Sequence, residues 1–177
     1  MLDERSEETT VEAEREASIK LIAQMPTLAA AIARIRAGKD PIKPNNALSH
    51  SGNYLYMMTG SKPSELHERV MDISLILHAD HGQNASTFTT MVVNSSLSDM
   101  YSSVVAGIGS LKGPLHGGAN EKVLYDLEEV GRKENAEAWF KTAQATKRKV
   151  MGFGHRVYKA YDPRARILGP VAKLMTE

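Results

Sequence analysis

A chain of 177 residues, 42% hydrophobic and 24% charged, is long enough for one domain, or for one and part of a second. Its formal net charge of +1 argues against a nucleic-acid-binding protein, and no apolar run approaches the ~18 residues that a membrane span needs. The absence of cysteine excludes disulfides, thiolate metal sites and a cysteine nucleophile. The acidic, polar start MLDERSEETTVEAERE does not read as a signal peptide, so a soluble cytoplasmic protein is expected.

Helical punctuation recurs along the chain. Thr9 or Thr10 is placed to cap a first helix with acids in its first turn and apolar Leu21, Ile22 and Met25 further on. Pro26 is expected to end or kink it, and the alanine-rich TLAAAIARIRAG to restart it and stop at Gly38. KDPIKPNN reads as a loop, and ALSHSGNYLYMMTG as a weaker helix ending near Gly60. After the turn SKPS, Leu66, Val70, Ile73 and Leu77 form one helical stripe, expected to be buried, which runs into HADHGQN.

ASTFTTMVVNSSLSDMYSSVVAGIG is rich in small side chains and is expected to be one central helix crowded by its neighbours, its hydroxyls bonding back to the preceding turn. The octapeptide GPLHGGAN, Gly113 to Asn120, comes next. Taken alone, it reads either as a helix–helix connection with a solvent-facing histidine or as a rigid corner holding one imidazole. EKVLYDLEEVG is amphipathic through Val123, Leu124, Leu127 and Val130, and NAEAWFKTAQATKRK is expected to start at Asn135 and close on a basic last turn. The segment VMGFGHRVYKAYDPRARILGP is a loop that re-enters helix with Asp162 as N-cap and Pro163 in the first helical position. No run of period-two alternation appears, so the fold class is all-α.

Three of the six histidines stand where a helix has just ended: His81, His116 and His155. His50 and His67 lie inside helical segments and read as ordinary solvent-facing residues, while His78, one turn before His81, reads as structural support. His78, Asp80 and His81 offer metal-binding side chains, but the spacing is short of a zinc motif and no metal is expected. No GxSxG elbow is present for a nucleophilic serine. In GFGHRVYKAYDPRAR, Gly152 and Gly154 flank Phe153, and His155, Arg156, Lys159, Arg164 and Arg166 follow. Bare amides beside fixed cations suit a ligand bearing phosphate or carboxylate; a basic surface turn is the bland alternative.

GPLHGGANE and GFGHRVYKAYDPRA match two signature loops of the citrate synthases, and HADHGQN resembles the third, substrate-facing segment of that family. The resemblance covers essentially the whole chain and is closest to the short bacterial and archaeal type, which includes 2-methylcitrate synthases. It implies a multi-helical fold with residues 1–112 as central helices of a large domain and 113–177 as an incomplete small domain. It also implies condensation of acetyl-CoA with oxaloacetate, the opening step of the tricarboxylic acid cycle, by a homodimer. No bound cofactor is implied, because the coenzyme A thioester is a substrate.

By the same resemblance His116 and His155 are catalytic, the first aimed at the enolate oxygen and the second at the oxaloacetate ketone. His81 and Arg164 hold the oxaloacetate carboxylates, and Gly152, Phe153, Gly154 and Lys159 contact coenzyme A. The aspartate that serves the family as base has no counterpart here. The chain is therefore expected to be an internal piece, inactive alone. Use of propionyl-CoA, or a non-catalytic helical module that associates with similar chains, are the alternatives.

Overall fold

The computed structural model describes residues 3–155 and 158–175, and within them it has eight α-helices, one 3-10 turn and no strand. The all-α expectation holds. Helix α1 (Val11–Arg36) is capped by Thr10, whose hydroxyl accepts from the Ala13 amide, and carries Glu12 and Glu14 in its first turn and Arg34 and Arg36 in its last. It runs through Pro26 instead of stopping there. An interior proline costs a helix about 3 kcal/mol. Strong helix formers follow it at once, and α1 packs on its neighbours through Ala13, Ala17 and Ala30, all buried.

Helix α2 (His50–Thr59) is capped by Ser49 and ends at Gly60, whose φ of +86° suits glycine. Helix α3 (Glu65–Ala79) begins after the Ser64 cap and packs on α2, where buried Ser51 donates 2.9 Å to Asp72 and the Ser49 hydroxyl donates to Glu68. The α3 stripe is less covered than expected. Leu66 is exposed and Val70, Ile73 and Leu77 are half-buried, α3 packing chiefly on α2 and to a lesser extent on α8 among the described residues.

The segment expected as one central helix is two: α4 (Ala85–Asn94) and α5 (Met100–Leu111). Asp99 caps α5 by accepting 2.9 Å from the Ser102 amide, Leu97 adopts a φ of +63°, and Ser95 and Ser96 bond back to the carbonyls of Val92 and Val93. The serines that looked tolerable inside a helix are those that close it. The two helices fold back on each other closely. A Cβ at Gly107 would lie 2.3 Å from Thr90 Oγ1 and 3.3 Å from the Ser86 carbonyl, so only glycine fits this crossing.

Helix α6 (Gly117–Val130) starts inside the octapeptide, which is therefore a helix–helix connection. Its inward face is not the expected one: Leu124 and Leu127 are 55% and 62% exposed, whereas Asp126 is only 8% exposed, between half-buried Val123 and Val130. A 3-10 turn (Lys133–Asn135) leads into α7 (Ala136–Ala145). Asn135 does not cap α7 with its side chain; its amide donates 3.1 Å to the Val130 carbonyl, tying α7 to the end of α6. The basic run lies beyond α7, since Lys147 turns the chain with a φ of +54°. Helix α8 (Pro163–Leu174) has the expected Asp162 cap and Pro163 start.

The core is small, made of Ala13, Ala17, Ala30, Met57 and Ala143. The accessible surface is 13,546 Å² for a 19.4 kDa chain, against roughly 8,500 Å² for a compact monomer of that mass. Much of the excess is apolar: Ile19, Ile22, Leu28, Ile32 and Ile35 of α1 are exposed, and an apolar groove of about 530 Å³ lies along α1 by Leu21, Met25, Tyr54, Leu75 and Val104. Helices so uncovered call for further protein against them.

Candidate active site

Three chain junctions build the site. The first is the turn between α3 and α4, where α3 ends at Ala79, Asp80 is extended, and Asn84 caps α4 by accepting 3.0 Å from the Thr87 amide. His81 lies in this turn. One turn earlier, His78 donates from Nδ1 to the Ser74 carbonyl at 2.6 Å. That bond orients its ring.

The second junction is the loop from α7 to α8. Tyr158 there reaches His81, with its hydroxyl 2.5 Å from His81 Nε2 and the rings 5.6 Å apart. The same tyrosine ring lies 4.7 Å from that of His155, tilted by 31°. Its backbone amide donates 3.2 Å to His155 Nδ1. An amide is only a donor, so Nδ1 is an acceptor and the neutral imidazole carries its proton on Nε2.

Arg164, in the first turn of α8, is gripped by Asp162 from the side: Nε at 3.2 Å from Oδ1 and Nη2 at 2.9 Å from Oδ2. The Arg164 side chain holds the Asp162 carboxyl down at about 2, helped by the Arg164 amide and by the nearby His81, and Asp162 in turn raises the guanidinium. Two of the five guanidinium N–H groups are engaged this way, and the plane has a second edge through Nη1. Arg164 lines a groove of about 410 Å³ with His78, Tyr161 and Leu168. The structure thus gathers His81, His155 and Arg164 around Tyr158 and Asp162.

His116 is held at the third junction, immediately before α6, with its Nε2 2.6 Å from the hydroxyl of Ser86 in the first turn of α4. The bond joins it to the same turn that carries His81, because residues 81 and 86 are at most about 17 Å apart along an extended chain. The glycines after it have a steric purpose. A Cβ at Gly117 would lie 2.6 Å from the Leu111 carbonyl, so the octapeptide holds its corner tightly.

Gly152 and Gly154 both have positive φ, +83° and +75°, and between them Phe153 projects outward, 77% exposed. Lys159 and Arg166 are exposed, and Arg156 lies outside the described residues. Among the described residues, no group of three or more His, Cys, Asp or Glu is placed to hold a metal ion.

Sequence reasoning missed Tyr158 and Ser86. Tyr158 lies in the loop between α7 and α8, but no spacing marks a tyrosine as the bridge between two distant histidines. Ser86 was one of many small residues on α4.

The described structure is an all-helical fold in which three loop-borne histidines lie at helix junctions, two of them and Arg164 close to Tyr158 and Asp162. The chain belongs to the citrate synthase family, since the model of the citrate synthase C-terminal domain matches residues 1–177. It is 51% identical over 173 residues to the citrate synthase of Deinococcus radiodurans, covering 98% of this chain and 46% of that protein. It is 44% identical over 161 residues to the 2-methylcitrate synthase of Mycobacterium tuberculosis, covering 91% of this chain and 41% of the relative. Among solved structures, the Thermoplasma acidophilum citrate synthase in ternary complex with carboxymethyl coenzyme A and oxaloacetate is similar with a TM-score of 0.86 at 34% identity, over 94% of this chain and 44% of that one. The chain spans about half the length of the curated relatives it matches.

Proposed function

We propose that these residues form the oxaloacetate-binding and much of the coenzyme A-binding part of a cytoplasmic, homodimeric citrate synthase. Such an enzyme joins the methyl carbon of acetyl-CoA to the ketone carbon of oxaloacetate and hydrolyses the citryl thioester formed. The observation that carries the reading is the His81–Tyr158–His155 arrangement with Arg164 beside it. Two cations or donors for carboxylates and one donor for a ketone lie together, as a keto-diacid requires.

In this reading His81 and the Nη1 edge of Arg164 hold the oxaloacetate carboxylates. His155 donates from Nε2 to the ketone oxygen and gives up that proton as the new carbon–carbon bond forms. His116, its Nε2 paired with the Ser86 hydroxyl, stabilises the enolate oxygen of the thioester. The loop around Gly152, Phe153 and Gly154, with Lys159, contacts coenzyme A. The division at residues 1–112 and 113–177 is proposed from the family resemblance; α1 packs on α2 and α5, α2 on α3, and α4 on α5, while α8 meets this group through α3.

Abstraction of the methyl proton needs a base, and Asp162 is unsuited to it. It caps α8, grips Arg164 and has its carboxyl held at about 2, far below a useful basicity at neutral pH. The base is assigned to protein outside these 177 residues, and the chain alone is expected to be inactive.

A thiol-release assay with acetyl-CoA and oxaloacetate tests this in two arms. The isolated chain should release no thiol. A chimera in which this chain replaces the matching 173 residues of the Deinococcus radiodurans enzyme should turn over. Faster turnover with propionyl-CoA would assign 2-methylcitrate synthesis, since one methylene changes discrimination only by about 1–3 kcal/mol. A folded but inactive chimera would favour a helical module without catalysis.

A further inference from the structure

Asp126 is the one buried acid among the described residues, and it lies on α6, away from the histidine cluster. Burying a carboxylate is unfavourable unless its oxygens are satisfied. Both are: Oδ1 accepts 2.6 Å from Arg148 Nη2, and Oδ2 accepts 3.0 Å from the backbone amide of Met151. Arg148 is itself held by Glu129, at 2.9 Å and 2.7 Å, and lies 5.2 Å above the Trp139 ring. The guanidinium thereby ties α6 and α7 together around the carboxylate.

The second oxygen reaches the loop. Met151 immediately precedes Gly152, and a Cβ at Gly152 would lie 3.2 Å from Val123, one turn before Asp126 on the same helix face. Val123 and Asp126 therefore form a seat on which the start of the Gly152–Phe153–Gly154 segment rests. An apolar side chain at 126 would bury as readily but offers no acceptor for the Met151 amide. We infer that Asp126 is a positioning residue for the coenzyme A loop: its carboxylate, oriented by Arg148, fixes the backbone at Met151 and thereby the conformation in which the two glycines present the loop to the ligand. The ligand half of this inference rests on the reading of that loop as a coenzyme A contact; the clamp itself does not.

The experiment uses the 177-residue chain and two variants, Asp126→Ala and Asp126→Asn, with Glu137→Gln as a control that loses only an exposed ion pair on α7. Amide hydrogen exchange is followed across residues 150–154, and binding of free coenzyme A is measured by calorimetry. Asp126→Ala should speed exchange at Met151 by ~10-fold or more and weaken coenzyme A binding by a similar factor, with α1 amides unchanged. Asp126→Asn keeps one acceptor and should fall between, which preserves the test if the alanine variant does not fold. The control should match the unsubstituted chain in both measurements. Unchanged exchange in the variants overturns the clamp. Faster exchange with unchanged coenzyme A affinity overturns its link to the ligand. If the unsubstituted chain binds no coenzyme A, the reading of the loop fails and the ligand half of the inference with it, while the exchange result still decides the clamp.

Discussion

Tyr158 places its hydroxyl 2.5 Å from Nε2 of His81, a residue 77 positions away, and donates its own amide to His155. One side chain thus couples the turn after α3 to the loop before α8. Removing only the hydroxyl, in Tyr158→Phe, should leave the His155 packing and release His81. Oxaloacetate binding should weaken by ~10-fold, the usual scale for one lost hydrogen bond to a polar ring, while the circular dichroism spectrum stays the same. Calorimetric titration of the two proteins checks this.

The Asp162–Arg164 pair predicts a pH dependence with a definite sign. The folded carboxyl is held at about 2, below its ordinary value of 3.8, so its contribution to stability is complete above pH ~4 and is lost as pH falls towards 2. Asp162→Asn keeps a good N-cap but loses the ion pair. Its melting temperature should lie below that of the parent at neutral pH, and the gap should close as pH approaches 2. Asp3, also held at about 2 by Tyr101 and Lys20, titrates in both proteins and leaves the difference intact. A gap constant from pH 7 to 2 would reassign Asp162 to capping alone.

Much of the helical punctuation was legible because it is local. Thr10, Asp162 with Pro163, and Gly60 act within four residues of themselves, and each performs as its sequence context indicates. The break between α4 and α5 was not legible, because serines that bond back to the preceding turn serve a helix interior and a helix end equally well. The inward turn of Asp126 was hidden for a different reason. Only its partners at Arg148 and Met151, far along the chain, make that face bearable for an acid. The candidate site was legible as three histidine loops, but their meeting through Tyr158 and Ser86 is tertiary.

The close crossing of α4 and α5 gives a stability prediction. Gly107→Ala drives a methyl group against Thr90 Oγ1 and should destabilise the chain by about 1–3 kcal/mol. Combining it with Thr90→Ala removes the nearest clash, so the double variant should recover part of the loss in a double-mutant cycle from urea unfolding. Strict additivity would show that the helices separate without strain.

Arg164→Lys tests the carboxylate fork. Lysine keeps the charge but presents a single ammonium, so in the Deinococcus radiodurans chimera the oxaloacetate KM should rise ~10-fold or more while the acetyl-CoA KM changes little. An unchanged oxaloacetate KM would confine Arg164 to the start of α8. In the same chimera His116→Ala should lower kcat by ~100-fold or more with little change in oxaloacetate affinity, because its donor acts on the enolate.

The most direct measurement is an oxaloacetate titration of the 177-residue chain, observed by NMR at the ring signals of His81, His155 and His67. One keto-diacid held between His81, Arg164 and His155 should shift the His81 and His155 signals together along a single saturating curve, in the millimolar range or tighter, and Arg164→Lys should weaken that curve. His67, paired with Ser64 at the start of α3, should not move. No response at His81 and His155, or responses that saturate at different concentrations, would contradict a shared oxaloacetate site.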